Sequence, residues 1–164
     1  MMPLTVLVAD NAPAAEDFRV LLGEYFEHLL AVWPNPAPER WQRELDGLPG
    51  AFARPSGRAL VAYVDGEPAG IVALVAQDEG ACEVKRLFVR PGMRRRGVSR
   101  ALMAAAFTEA AEAGYVLMRL GTSSDFIGAI ALYESLGFER GERFRDGWSE
   151  KVVFMARAVG AEKD

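Results

Sequence analysis

This chain has one cysteine and one histidine in 164 residues. A lone thiol, Cys82, excludes an internal disulfide and fits a reducing compartment, so a cytoplasmic location is expected. Cys82 lies among strand-type residues and reads as a small apolar core residue rather than a nucleophile. His28 has no second imidazole to join, and no metal site is expected. No apolar run approaches the ~20 residues that cross a membrane. The opening stretch, MMPLTVLVADNAP, lacks the basic leader and long apolar segment of a signal peptide. Positive charge is also short, at a net −4, which argues against general nucleic-acid binding. Internal repeats and low-complexity segments are missing as well.

What is present is a hydrophobic fraction of 51% in a chain long enough to bury a core. The expected organisation is a single domain over residues 1–159 and a short polar tail over 160–164. Leu4 to Ala9 reads as a strand. From Ala14 to Val32 the apolar residues Phe18, Leu21, Leu22, Tyr25, Phe26, Leu29 and Leu30 recur at helical spacing. Pro34, Pro36 and Pro38 break that helix, and a shorter one follows over Glu39 to Leu48. Ala59 to Val64 and Ala69 to Ala76 are strands joined through Asp65-Gly66, a hairpin turn. Asp78-Glu79-Gly80 turns the chain into the strand Ala81 to Val89, which completes an antiparallel meander.

Beyond it the order changes to helix (about Gly97 to Ala113), strand (Val116 to Leu120) and helix (Phe126 to Leu136), and the last strands lie near Phe138 to Gly141 and Val152 to Arg157. A strand–helix–strand passage of this length implies a right-handed crossover between parallel strands. The fold class is therefore α+β: a mixed, mostly antiparallel sheet with helices on both faces.

Although the chain is acidic, Arg90, Arg94, Arg95, Arg96 and Arg100 gather positive charge at one spot, between the strand ending at Val89 and the helix from Gly97. A strand that runs through an Arg/Gly turn into a helix presents unpaired backbone N–H groups at the positive end of the helix dipole. That is the chemistry of a phosphate cradle for a small polyanion. The plainer reading is a solvated arginine-rich turn.

Two motifs favour the cradle. Arg94-Arg95-Arg96-Gly97-Val98-Ser99 resembles the Q/R-x-x-G-x-G/A signature of the GNAT N-acetyltransferases. The stretch from Ala129 to Phe138, AIALYESLGF, resembles the same family's A-I-x-L-Y-x-x-x-G-F motif. Order and spacing match over roughly Leu60 to Ala156. Ser99 departs from the small residue of the first motif, and Phe126 stands where many members carry an asparagine that touches the pantetheine arm.

The resemblance implies the GNAT fold, acetyl-CoA as co-substrate, and cofactor contacts from Leu87, Phe88, Val89, Arg94, Arg95, Arg96, Gly97, Val98, Ser99, Arg100 and Ala129. In the family the strand holding Leu87 to Val89 splays from the next parallel strand. The Phe88 and Val89 amides are then candidates to pair with pantetheine and polarise the thioester carbonyl. Tyr133, at its place in the second motif, is the implied general acid towards the thiolate; otherwise it is a packed helix tyrosine. Glu83 is the implied general base, since an alkylamine of pKa about 10.4 is protonated at pH 7. Its alternative is pairing with Lys85 or Arg86, or facing solvent. Tyr25, Trp33 and the loop from Phe144 to Trp148, with Phe144 and Trp148 as its aromatic members, are the expected lining of the acceptor pocket.

The function so implied is transfer of acetyl from acetyl-CoA to a primary amine of a small molecule, amino-acid-like or drug-like, with no metal, nucleic acid or membrane involved. A homodimer is compatible with this reading. The alternatives are a catalytically silent acetyl-CoA-binding sensor or assembly module, and acetylation of a protein amine. Two other motifs fail on chemistry. GMRRRGVS, from Gly92, places Val98 where a P-loop needs lysine. Gly97-Val98-Ser99 mimics a nucleophile elbow, but the only histidine precedes Ser99 instead of following it.

Overall fold

The computed structural model describes residues 3–78, 80–145 and 149–160. Its centre is a seven-stranded sheet in the order β1-β2-β3-β4-β5-β7-β6. These strands are β1 (Leu4–Val8), β2 (Arg58–Val64), β3 (Glu67–Ala76), β4 (Ala81–Val89), β5 (Leu117–Ser123), β6 (Glu139–Arg140) and β7 (Val152–Ala158). All neighbours pair antiparallel except β4 and β5, which run parallel. The long apolar runs of β2 and β3 are central strands covered on both faces, which is why they do not alternate with polar residues.

Helices α1 (Ala14–Val32) and α2 (Pro38–Asp46) cover one face of the sheet. Phe18, Leu21, Leu22, Phe26 and Leu29 of α1, with Trp41 of α2, bury there against Val61, Ile71, Ala73 and Phe88. Helix α1 opens with Glu16 and Asp17, which suit the positive end of its dipole, and it stops just before Pro34. Tyr63 donates to Asp17 (2.6 Å), and Arg90 makes a two-pronged pair with Glu24 (2.9 and 2.6 Å), so α1 is pinned to the sheet at two points. Helices α3 (Val98–Glu112) and α4 (Ile127–Ser135) lie on the other face. Val98, Leu102, Met103, Ala106 and Ala110 of α3 and Tyr133 of α4 join the core there. Small residues on α3 let that helix sit close to the strands.

The feature that shapes the molecule is a parting of β4 from β5. Their parallel pairing covers only Ala81, Cys82 and Glu83 against Leu117, Met118 and Arg119. Beyond this, β4 stays with β3 as far as Val89, and β5 stays with β7 as far as Ser123. The cause sits in β4. Ala73 pairs with Lys85 and Ile71 with Phe88, so three steps of β4 match two of β3. Arg86 takes up the extra residue with φ 61. A bulge of this kind bends its strand and increases the local twist.

Gly70 lets β4 and α3 close on the far side of that bend. An ideal Cβ there would stand 2.6 Å from the Phe88 carbonyl oxygen and 3.2 Å from both Leu102 Cδ1 and Val98 Cγ1. Gly70→Ala is therefore expected to destabilise the protein by about 1–3 kcal/mol through overpacking. Urea denaturation measures this, and an unchanged midpoint would mean that β4 yields freely.

Candidate active site

The gap between β4 and β5 opens into two connected hollows. The first is a cleft of ≈ 600 Å³ between the end of β4, the start of α3 and the start of α4. After a helical turn over Pro91–Met93 the chain passes through Arg95 (φ 63) and Gly97 (φ 78), both left-handed, before α3 begins. Such alternation turns successive backbone N–H groups to one side, as an anion nest does. The first intrahelical bond is Ala101 N–H to the Gly97 carbonyl (3.0 Å), so the amides of Val98, Ser99 and Arg100 have no partner within the helix. The first turn of α3 holds no acidic side chain. A Cβ on Gly97 would meet no protein atom within 4 Å, so the backbone there faces open space.

Arg94, Arg95, Gly97, Val98, Ser99 and Arg100 all line this cleft, with Leu87, Val89, Ala129 and Tyr133 further in. Arg96 is not part of the lining. Arg94 Nε donates to the Val89 carbonyl (3.4 Å), and Arg100 donates to Ser135 Oγ (2.9 Å).

Which β4 amides face the gap follows from alternation along the strand. The Arg90 N–H donates to Ala69 of β3 at 2.9 Å. Two residues back, the Phe88 N–H therefore also points at β3, while those of Leu87 and Val89 point into the gap. The Val89 carbonyl, reached by Arg94, faces the same way. This corrects the expectation for Phe88: its amide is taken by the sheet, and its buried ring supports Tyr25 at 5.4 Å instead of lining either hollow.

The second hollow, ≈ 190 Å³, lies under α1 and α2. Tyr25, Trp33 and Trp41 form its aromatic side with Phe126, whose ring lies 5.8 Å from that of Trp33. Its floor is Glu83 to Leu87 of β4 and Leu120 to Thr122 of β5. Glu83, only 1% exposed, accepts a hydrogen bond from Arg145, which also lines the hollow. Neither sequence neighbour pairs with Glu83. Arg86 makes a two-pronged pair with Glu44 of α2 (3.0 and 2.8 Å) and lies over the Phe26 ring. Lys85 makes no hydrogen bond or ion pair among the described residues. Burial, assisted by the nearby Arg86 charge, pushes the Lys85 amine down to about 8 against the opposing pull of Glu83 and Glu44.

Leu87, Phe126 and Tyr133 line both hollows, so the two meet there. The Tyr133 ring packs edge-on to Phe138 (5.7 Å), while its hydroxyl has no hydrogen-bond partner among the described residues. Burial, and secondarily the charge of Tyr25, raises its pKa. The hydroxyl therefore keeps its proton across the physiological range and is available to donate it.

Of the residues expected to line an acceptor pocket, Tyr25 and Trp33 do so. Phe144 does not: it packs edge-on against Phe154 at 4.8 Å, and the next residue, Arg145, reaches the hollow in its place. Trp148 lies outside the described residues. Sequence reasoning missed Arg40, Trp41 and Glu44 of α2, Lys85 and Arg86, and within the expected loop from Phe144 to Trp148 it did not single out Arg145. Lys85 carried a readable signal, since it shares a strand face with Glu83 two residues away. Arg145 carried none. His28 is exposed on α1, and no three His, Cys, Asp or Glu side chains cluster among the described residues.

Comparison with known proteins agrees with this architecture. Residues 20–138 match the model of the Acetyltransferase (GNAT) family. The chain is 38% identical over 156 residues to an IAA acetyltransferase of Azospirillum brasilense, covering 94% of this chain and 98% of that one. It is 33% identical over 98 residues to the uncharacterised N-acetyltransferase YjgM of Escherichia coli, covering 58% of this chain and 59% of that one. Among solved structures, the PaiA N-acetyltransferase of Thermoplasma acidophilum in complex with coenzyme A superposes with a TM-score of 0.74 at 16% identity, over 96% of this chain and 99% of that one. With a family match over most of its length and the parted β4–β5 pair at its centre, this chain belongs to the GNAT family of acetyltransferases, the acyltransferases that draw their acyl group from acetyl-CoA.

Proposed function

We propose that this protein moves the acetyl group of acetyl-CoA directly onto a primary amine of a small molecule. The observation that carries this reading is the meeting of the two hollows at Tyr133. An anion-binding cleft and an aromatic, charged cavity share one wall, so a thioester held in the first presents its carbonyl to an amine held in the second.

The pyrophosphate would rest on the amides from Arg95 to Arg100, with arginine side chains offsetting its charge. The pantetheine arm would run along the open edge of β4, where the Leu87 and Val89 amides face it. An N–H donor placed at the thioester oxygen stabilises the negative charge that grows there during attack. Nitrogen bonds to the carbonyl carbon, the carbon–sulfur bond breaks, and the thiolate leaves towards the Tyr133 hydroxyl. Glu83 keeps carboxylate lone pairs beyond the one used by Arg145, and these take a proton from the incoming ammonium directly or through water. Cys82 offers no covalent relay. It is packed into the α3-side core, and burial pushes its thiol up to about 11.

Acetyl-CoA is expected to raise the melting temperature, as a native-state ligand does, and to do so less at high salt. Gly97→Val should abolish that shift. A β-branched residue is strained at this left-handed φ, and its side chain would occupy the space in front of the cradle. A normal shift in that variant, or none in the wild type, would place the donor site elsewhere.

Tyr133→Phe is expected to lower kcat while leaving the acetyl-CoA thermal shift in place, because the ring packing on Phe138 survives and only the hydroxyl goes. General acid catalysis contributes about 10²–10⁴-fold. A thiol of pKa about 8.5 leaves readily, so the loss should fall at or below the lower end. Thiol-release assays at saturating substrate measure it, and wild-type turnover would make Tyr133 a packing residue.

Glu83→Gln should lower kcat/KM at neutral pH, with the loss shrinking as pH rises and the free amine fraction grows. For an amine of pKa about 8 that fraction is about a tenth at pH 7, and for one near 10.4 about 0.04%. A rate profile from pH 6.5 to 9.5 reads this. Equal losses at every pH would assign Glu83 to positioning instead of proton removal.

A further inference from the structure

The charge balance of the acceptor cavity is unlike that of a site for a bare or polycationic amine. Its lining holds Arg40, Lys85, Arg86 and Arg145 against Glu44 and Glu83. Both carboxylates already face an arginine: Glu44 is held by Arg86, and Glu83 by Arg145. Lys85 and Arg40 make no direct ion pair or hydrogen bond among the described residues, and Glu83 and Glu44 act on Lys85 only from a distance. Lys85 is half-buried, where an ammonium without a direct ion pair is costly. From this balance, and resting on the acetyl-transfer reading above, we infer that the acceptor is an amino acid whose carboxylate sits at Lys85 and Arg40.

The spacing fits. Glu83 and Lys85 lie two residues apart on one face of β4, on the cavity side of the bulge and before it, so their Cα atoms are about 7 Å apart. Glu83 at one end can take the ammonium and Lys85 at the other the carboxylate, which suits amine and acid groups separated by one carbon or a few. Tyr25, Trp33, Trp41 and Phe126 form the remaining wall, and an aromatic or aliphatic side chain is what they would cover. A bound carboxylate would also offset the burial that pushes the Lys85 amine down to about 8, with Arg86 and Arg145 as its like-charged neighbours and Glu83 and Glu44 as its opposing ones.

Matched pairs test this inference. The twenty amino acids and their available decarboxylated counterparts, such as L-phenylalanine with 2-phenylethylamine and L-leucine with isopentylamine, are compared as acceptors by thiol release. A charge-assisted contact to the carboxylate should favour the amino acid by about 10–100-fold in kcat/KM. Lys85→Met should collapse the ratio of amino acid to amine towards one, chiefly through KM, and Lys85→Arg should restore most of it. Arg40→Gln, on the exposed outer turn of α2, should also reduce the ratio and is a second variant should Lys85→Met fail to fold. The acetyl-CoA thermal shift reports for each variant that the donor side is intact. Equal use of both members of every pair, or a ratio unmoved by these substitutions, overturns the carboxylate site while leaving acetyl transfer standing. Thiol release from amines with no amino acid accepted overturns it in the same way. An absence of thiol release with every acceptor, together with no thermal shift, overturns both readings.

Discussion

When two neighbouring strands of a sheet part, backbone N–H and C=O groups are left facing one another across a gap too wide to bridge. Each such group costs about 1–3 kcal/mol if it stays buried and unpaired, so a parted pair persists only where water or a ligand completes it. Here the parting begins immediately after Glu83 and Arg119. The extra residue at Arg86 bends β4 away, while β5 remains paired with β7 along its whole length. Every element of the proposed site is arranged around that gap. The cradle from Arg94 to Arg100 stands at its open end, Tyr133 looks into it from α4, and Glu83 marks its apex.

The same bulge explains the chemistry of the acceptor side. In a regular strand Lys85 and Arg86 would point to opposite faces. With the extra residue, Val84 and Leu87 pack with the α3-side core, while Arg86 reaches Glu44 and Phe26 on the α1/α2 side. Three charged side chains, Glu83, Lys85 and Arg86, thus border one small cavity. Arginine pairs settle two of the three charges and lock α2 and the Arg145 loop against the sheet. The third, on Lys85, is left for whatever enters.

How much of this is legible in the sequence depends on range. Helix α1 and strand β4 begin and end where periodicity and turn residues place them, because a nineteen-residue amphipathic pattern and a proline stop leave little choice. The donor side is equally readable, since a strand, an Arg/Gly turn and a helix start are contiguous. Long-range pairing is not. Strand β5 extends to Ser123 because β7 pairs with Gly-Thr-Ser, of which only Thr122 carries any strand signal of its own. Strand β6 shrinks to Glu139–Arg140, as Phe138 turns into the core. A left-handed arginine at position 86 has no local signature either, and without it Arg86 cannot be aimed at Glu44. Phe144 and Arg145 show the limit most plainly: adjacent in sequence, one packs on β7 and the other reaches the buried Glu83.

Division of labour between the two hollows follows from what each has to recognise. On the proposed reading the donor presents a pyrophosphate and an amide-bearing arm, both of which backbone groups can bind, so turn geometry and one glycine suffice for this half. Its side chains can vary, as Ser99 and Phe126 do here, provided the backbone keeps its course. An amine acceptor, on that reading, has to be distinguished from every other amine, which needs side chains placed from several elements: α1, α2, β4, β5 and the Arg145 loop each line the second hollow. Tyr133 would serve both halves because it sits where they join, and burial keeps its hydroxyl protonated there. A substitution in the donor half should therefore act on any acceptor alike. One in the acceptor half should change which amine is used before it changes how fast the thioester is opened.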